Sequence, residues 1–133
     1  MSFNAISGAE QNSYTKIKMA TSTTVVKGQA LAFTSGLARP AVAGDAEVRY
    51  ISNENRTTTS NTPYINVLDV NKVTFEADTA GNTSQAIVGT KIDLTDGNTA
   101  NQAATTTKIF MVEDLVGAAS NKKVTGKFVL KDA

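Results

Sequence analysis

The stretch VVKGQALAFTSGLARP, Val25 to Pro40, holds two glycines, a lysine before the first, and a Thr34-Ser35-Gly36 with the composition of a phosphate cradle. A P-loop needs G-x-x-x-x-G-K-[ST] leading into a helix. Here the lysine precedes Gly28, and Ala38, Arg39 and Pro40 follow the second glycine. Both flanks read as strands, so no helix N-terminus is available to focus an anion. Lys27-Gly28 is read as a tight turn in which glycine supplies a positive φ, and Thr34-Ser35-Gly36 as the next turn. Two turns a few residues apart make a small β-meander that binds nothing by itself.

Working outward, period-two alternation outnumbers any helical stripe, and Thr, Val, Ala, Asn and Gly dominate. This is an all-β composition. Strands are predicted at Tyr14 to Met19, Thr23 to Val26, Gln29 to Phe33, Gly36 to Ala41, Glu47 to Ile51, Tyr64 to Val70, Lys72 to Ala77, Ala86 to Leu94 and Lys122 to Leu130. Val73 and Phe75 alternate against Thr74 and Glu76, and Val124, Phe128 and Leu130 against Lys123, Lys127 and Val129. Gly126 is read as a bulge position. Lys108 to Ser120 reads as strand to about Val112, then a turn or short helical turn.

Two polar runs interrupt this pattern, Ser52 to Pro63 and Thr95 to Thr107. The first contains no aliphatic side chain and is expected as an exposed loop or hairpin tip; the second opens on the turn pair Asp96-Gly97. Met1 to Ser13 is small and polar and is expected as an extended arm, reaching up to about 40 to 45 Å. The fold class is therefore all-β: a compact small barrel or sandwich of short antiparallel strands, with an arm at 1–13 and a single domain at 14–133.

A chain of 133 residues is long enough for one real core. It contains no cysteine, so stability rests on packing and backbone pairing, which suits a reducing compartment of synthesis. Its 13 basic and 12 acidic residues are scattered. That pattern predicts no strong field for nucleic acid or anionic lipid, and Lys122, Lys123, Lys127 and Lys131 read as a solvated sheet face. The N-terminus lacks a basic region followed by an apolar core, and no window approaches a membrane span, so a soluble protein without a secretion signal is expected. Two sequons, at Asn55 and Asn82, then read as loop composition.

Without histidine or cysteine, imidazole, thiolate and zinc-water schemes are excluded. Glu47, Glu76, Glu113 and Asp114 are acids of the kind strand faces carry routinely, and the missing Trp disfavours a sugar platform, for which only Tyr14, Tyr50 and Tyr64 remain. Asp93, Asp96 and Asn98 in IDLTDGN are oxygen donors, but Ile92 and Leu94 fall where calcium ligands would alternate, and a hairpin turn is the better reading. No enzyme, cofactor or metal is expected.

VVKGQALAFTSGLARPA, Val25 to Ala41, resembles the opening of small phage head proteins that decorate or cement a capsid, in which a K-G-[DQ] turn precedes a strand, a glycine turn and a Pro-Ala. IFMVEDLVGAASNKKVTGKFVL, Ile109 to Leu130, is similar to that family's closing strand, acidic turn, Gly-Ala stretch and final strand. The resemblance implies an all-β virion protein without catalysis, made in the host cytoplasm and bound to the capsid exterior. Its partner would be the major capsid protein, with self-association, for example as a trimer, at a symmetry axis. Candidate contacts are the arm residues Phe3 and Ile6 and the loop residues Asn55, Arg56, Asn61, Asn98 and Asn101. The alternative is another virion-associated β module, of a fibre, tail or adhesin, meeting a partner or receptor through the loops.

Overall fold

Both turns of the opening stretch form as read in the computed structural model, which describes residues 3–130. Gly28 takes φ 89°, and the Gln29 N–H donates to the Val26 carbonyl at 3.1 Å. Ser35 and Gly36 take φ 51° and 81°. Two successive positive φ values are the signature of the type I′ turn, whose twist matches that of the strands it joins.

The described residues form thirteen strands: β1 (Phe3–Ser7), β2 (Tyr14–Lys18), β3 (Thr24–Val25), β4 (Ala30–Thr34), β5 (Leu37–Pro40), β6 (Tyr50–Ser52), β7 (Arg56–Thr57), β8 (Tyr64–Asp69), β9 (Thr74–Asp78), β10 (Lys91–Asp96), β11 (Thr99–Asn101), β12 (Phe110–Leu115) and β13 (Lys123–Phe128). One sheet has the order β1-β9-β13-β12-β10-β11 and a second the order β2-β8-β6-β4-β5, while β3 and β7 form a two-stranded ribbon. The ladders are antiparallel. The result is a sandwich rather than a closed barrel. Single bridges draw the sheets into curls, Met19 against Ala38 in one and Thr79 against Ala100 in the other.

The main core lies between the sheets. From the six-stranded sheet come Phe75, Ala77, Ile92, Leu94, Phe110, Val112 and Val124; from the five-stranded sheet come Ala30, Ala32, Ile51 and Leu68. The alternation read at Val73, Phe75 and Ala77 and at Val124 and Phe128 thus points inward as expected. Leu31, Ile65, Val67, Ala38 and Met19 fall on the opposite face of the five-stranded sheet and form a second cluster with Val25 of β3. That sheet is therefore buried on both faces.

Gly126 sits where strands crowd: a Cβ there would collide with the Met111 carbonyl oxygen and approach the Phe110 ring to 2.8 Å. The register shift lies on the facing strand, between Val112 and Asp114, so the bulge expected at Gly126 belongs to β12 and the glycine accommodates it.

Four expectations need correction. The arm does not exist over the described residues: Phe3–Ser7 pairs with β9, and Phe3, 2% exposed, stacks against Phe110 and Phe128 at centroid separations of 5.8 and 4.9 Å. The Phe3 ring in the core, the ladder to β9 and the Phe3 N–H bond to the Gly28 carbonyl at 2.9 Å together hold this segment in the fold, so the folded part includes residues of the supposed arm. Residues 1–2 lie outside the described residues, as does Lys131 of the supposed lysine face. Ser52 to Pro63 is not a free loop, since it supplies β7, and Ser52 and Thr58 are buried. The strand expected from Ala86 begins at Lys91, after a 3-10 turn at Gln85–Ile87, and the strand expected to stop near Val112 continues to Leu115 because β13 pairs with it that far.

Phe3→Ala is expected to cost about 3 to 5 kcal/mol, the usual loss for emptying a buried phenylalanine site. Urea denaturation checks it, and a change under about 1 kcal/mol would mean that Phe3 is peripheral. Gly126→Ala is expected to lose about 1 to 3 kcal/mol by overpacking against β12, read the same way.

Candidate interaction surface

The polar run Ser52 to Pro63 is ordered because its buried polar groups are matched. Thr58 Oγ1 donates to the Ala20 carbonyl at 2.6 Å and accepts the Thr23 N–H at 3.1 Å. Asn55 Oδ1 accepts the Lys27 N–H at 2.7 Å, fastening the Lys27-Gly28 turn to the ribbon. Arg56 lies 3.4 Å from Glu54 and donates to the Tyr64 carbonyl at 3.3 Å. Asn55 and Arg56, expected as contact residues, are thus engaged in holding the cover of the second apolar cluster, although both remain exposed. Asn61 is exposed at the tip, where Thr59 and Thr62 bond across the turn at 2.8 Å.

The second polar run is organised by Asp93. Its carboxylate accepts the N–H of Thr106 at 3.0 Å, of Thr107 at 2.7 Å and of Lys108 at 2.9 Å. Burial pushes this carboxyl up, and the backbone donors outweigh it, so its pKa lies below the ordinary carboxylate value. Asp96 accepts the Asn98 N–H at 2.8 Å, and Asn101 the Ala103 N–H at 3.0 Å. These carboxylates serve the backbone, and the described residues contain no group of three or more His, Cys, Asp or Glu placed to hold a metal ion. Asn98 and Asn101 are half-buried, and no hydrogen bond or ion pair among the described residues joins them to Asn55, Arg56 or Asn61. The candidate loop residues do not make one polar site.

Asp45 is the other fixed acid. Arg39 grips it bidentately at 2.8 and 2.7 Å, and the Val42 N–H donates to it at 2.7 Å. The Arg39 hydrogen bonds, working against burial, hold its pKa below the ordinary value. This pair ties the end of β5 to the turn that bridges Val42 to Asp96 of the other sheet.

The surface instead presents scattered apolar side chains: Ile6 at the bulge of β1, Tyr14, Val26, Phe33, Val42 and Tyr64, between 43% and 55% exposed. Phe33 meets Tyr50 edge-on at 6.0 Å. Tyr14 overlooks an open cleft of about 280 Å³, lined also by Phe3, Asn4, Lys27, Asn53 and Phe75. Of the arm residues expected to make contacts, Ile6 is available at the surface and Phe3 is not. Tyr14 and Tyr64, considered from the sequence only as aromatics for a disfavoured sugar platform, were not among the expected contact residues; for Tyr14 the signal was its place with Lys16 and Lys18 on one alternating face. No family model matches the chain, and neither a curated protein nor a solved structure matches it.

Because Asp93 and Asp45 have lowered pKa values in the folded state, their stabilisation is fully present above the unfolded carboxylate value near about 4 and is lost as pH falls through the folded values. Unfolding free energy is therefore expected to drop on acidification below about pH 4. Asp93→Asn, which retains the size but cannot accept three N–H donors, is expected to lower stability at neutral pH by about 3 kcal/mol and to flatten this acid limb. Equal acid limbs in the two proteins would remove Asp93 from this role.

Proposed function

We propose that the chain is a virion structural protein that binds the outer surface of a phage capsid and stabilises it by bridging major capsid protein subunits. The observation that carries this reading is the pair of segments resembling capsid decoration proteins, Val25 to Ala41 and Ile109 to Leu130. Each supports it further by folding as a unit: the first contains the turn at Lys27-Gly28 and the β4–β5 hairpin, and the second the β12–β13 pair.

The mode of contact differs from one based on an arm. With Phe3 in the core, attachment falls to the folded surface, where Ile6, Val26, Phe33 and Val42 offer apolar area suited to a protein partner. Self-association, for instance as a trimer, belongs to the same proposal.

Purified protein mixed with expanded, undecorated capsids is expected to co-sediment saturably and to raise the temperature at which the shells open. Absence of saturable binding would rule the reading out. Sedimentation equilibrium of the free protein then gives the oligomeric state.

A further inference from the structure

The six-stranded sheet ends at β1, whose outer edge is closed at Phe3 and open at Ala5. Phe3 N–H donates outward to the Gly28 carbonyl at 2.9 Å, so the Lys27-Gly28 turn stands against that end of the strand. Inward and outward backbone groups alternate along an antiparallel ladder, so Ala5, two residues on, also turns its N–H and C=O away from β9. No other bond among the described residues takes these two groups. Ala5 lies opposite Phe75 and shares the inward face of Phe3, yet it is exposed where Phe3 and Phe75 are buried. The second sheet therefore leaves this one inward position uncovered.

The space beside Ala5 is the cleft of about 280 Å³. Phe3, Phe75, Ile51 and Leu68 give it an apolar floor, and Tyr14 and Asn53 also line it. It is small beside the roughly 300 to 1,000 Å³ of sites for drug-sized ligands and has room for one apolar residue. Among its lining residues are one cation, Lys27, and no acid. Lys27 has no ion pair among the described residues. A chain pairing with Ala5 cannot run on past Phe3, because the Lys27-Gly28 turn is there, so one of its ends must lie at Lys27. A parallel chain would bring its N-terminal ammonium to the lysine, which is repulsive. An antiparallel chain brings its C-terminal carboxylate, which is matched.

We infer that the cleft beside Ala5 captures the C-terminus of another protein, whose last residue is apolar and lies opposite Ala5. Its N–H donates to the Ala5 carbonyl, and its carboxylate accepts the Ala5 N–H and meets the Lys27 ammonium. Residues opposite each other in a ladder point to the same side, so its side chain enters the cleft over Phe3 and Leu68. Main-chain bonds, one pocket and a captured carboxylate are established means of recognising a chain end. Any exposed C-terminal tail of this kind qualifies, whether or not it belongs to a capsid protein, so the capsid reading can fail without this one.

The test uses the N-acetylated peptide Ser-Thr-Ser-Thr-Leu with a free carboxylate, the same peptide as its C-terminal amide, and a free-acid counterpart ending in Gly. Each is titrated to millimolar concentration against the labelled full chain and followed by amide chemical shifts. Saturable shifts at Ala5, Tyr14, Lys27, Gly28 and Asn53 are expected with the first peptide. Binding of the amide and of the Gly peptide is expected to be weaker by about tenfold or more, the loss of one charged contact or of the pocket. Lys27→Gln, at an exposed side chain, is expected to weaken the acid about tenfold and leave the amide unaffected, erasing the preference between them. Ala5→Leu, which fills the cleft from its own side, is expected to abolish binding while urea denaturation shows the fold retained. No saturable shift at Ala5 and Lys27, or equal binding of acid and amide, or a preference unchanged in Lys27→Gln, would overturn the inference. So would shifts at the same residues that follow protein concentration without peptide, since they would give the cleft to a second copy.

Discussion

A five-stranded sheet buried on both faces is the constraint on which the rest of the structure depends. In β4, Ala30 and Ala32 point into the core shared with the larger sheet, while Leu31 between them points the other way. The small alanines allow close approach: Ala30 N–H donates to the Gly97 carbonyl at 2.6 Å, and a side chain on Gly97 would meet the Ala30 carbonyl and Gln29. Burying Leu31, Ile65 and Val67 then requires a second cover. Leaving such side chains in water would forfeit about 1.5 to 3 kcal/mol each. The cover is the β3–β7 ribbon, and a polar segment is thereby drawn into the fold.

That segment has almost nothing apolar to contribute beyond Val25 on its partner strand, so its order comes from matched polar groups. Thr58 donates to one carbonyl and accepts one N–H, and Asn55 and Glu54 each accept a backbone N–H. A buried hydroxyl or amide is costly when unpaired and nearly neutral when paired. The same logic organises the other polar run, where one carboxylate, Asp93, gathers three successive backbone donors. In both cases asparagine, threonine and aspartate substitute for hydrophobic packing as the ordering force.

Much of the fold was legible in the chain. The turns at Lys27-Gly28 and Ser35-Gly36 are local events, set by residues that tolerate positive φ, and they formed where read. The strands β9 and β13 alternate strictly enough for their inner faces to be read directly, whereas β8 buries Val67 and Leu68 in succession on opposite faces. Less was legible of the candidate surface. Phe3 looks like an anchor on a loose arm because its partners, Phe110 and Phe128, lie more than a hundred residues away. Asn55 and Arg56 look free because their acceptors and donors, at Lys27, Glu54 and Tyr64, become neighbours mainly through strand pairing. Ile6, at a bulge in an edge strand, is the exposed apolar residue that sequence and structure both place at the surface.

By itself the sequence determined the all-β class, the positions of the tight turns and the inward faces of the longer strands, because φ preference and period-two alternation act over a few residues. Only the tertiary structure decided that the chain's first described residue is core, that a polar run is a lid, and that the two outer strands of the five-stranded sheet are drawn together where Met19 bridges to Ala38. Each of these depends on which strand lies beside which. Pairing order is set by burial summed over distant segments, and no local pattern encodes it.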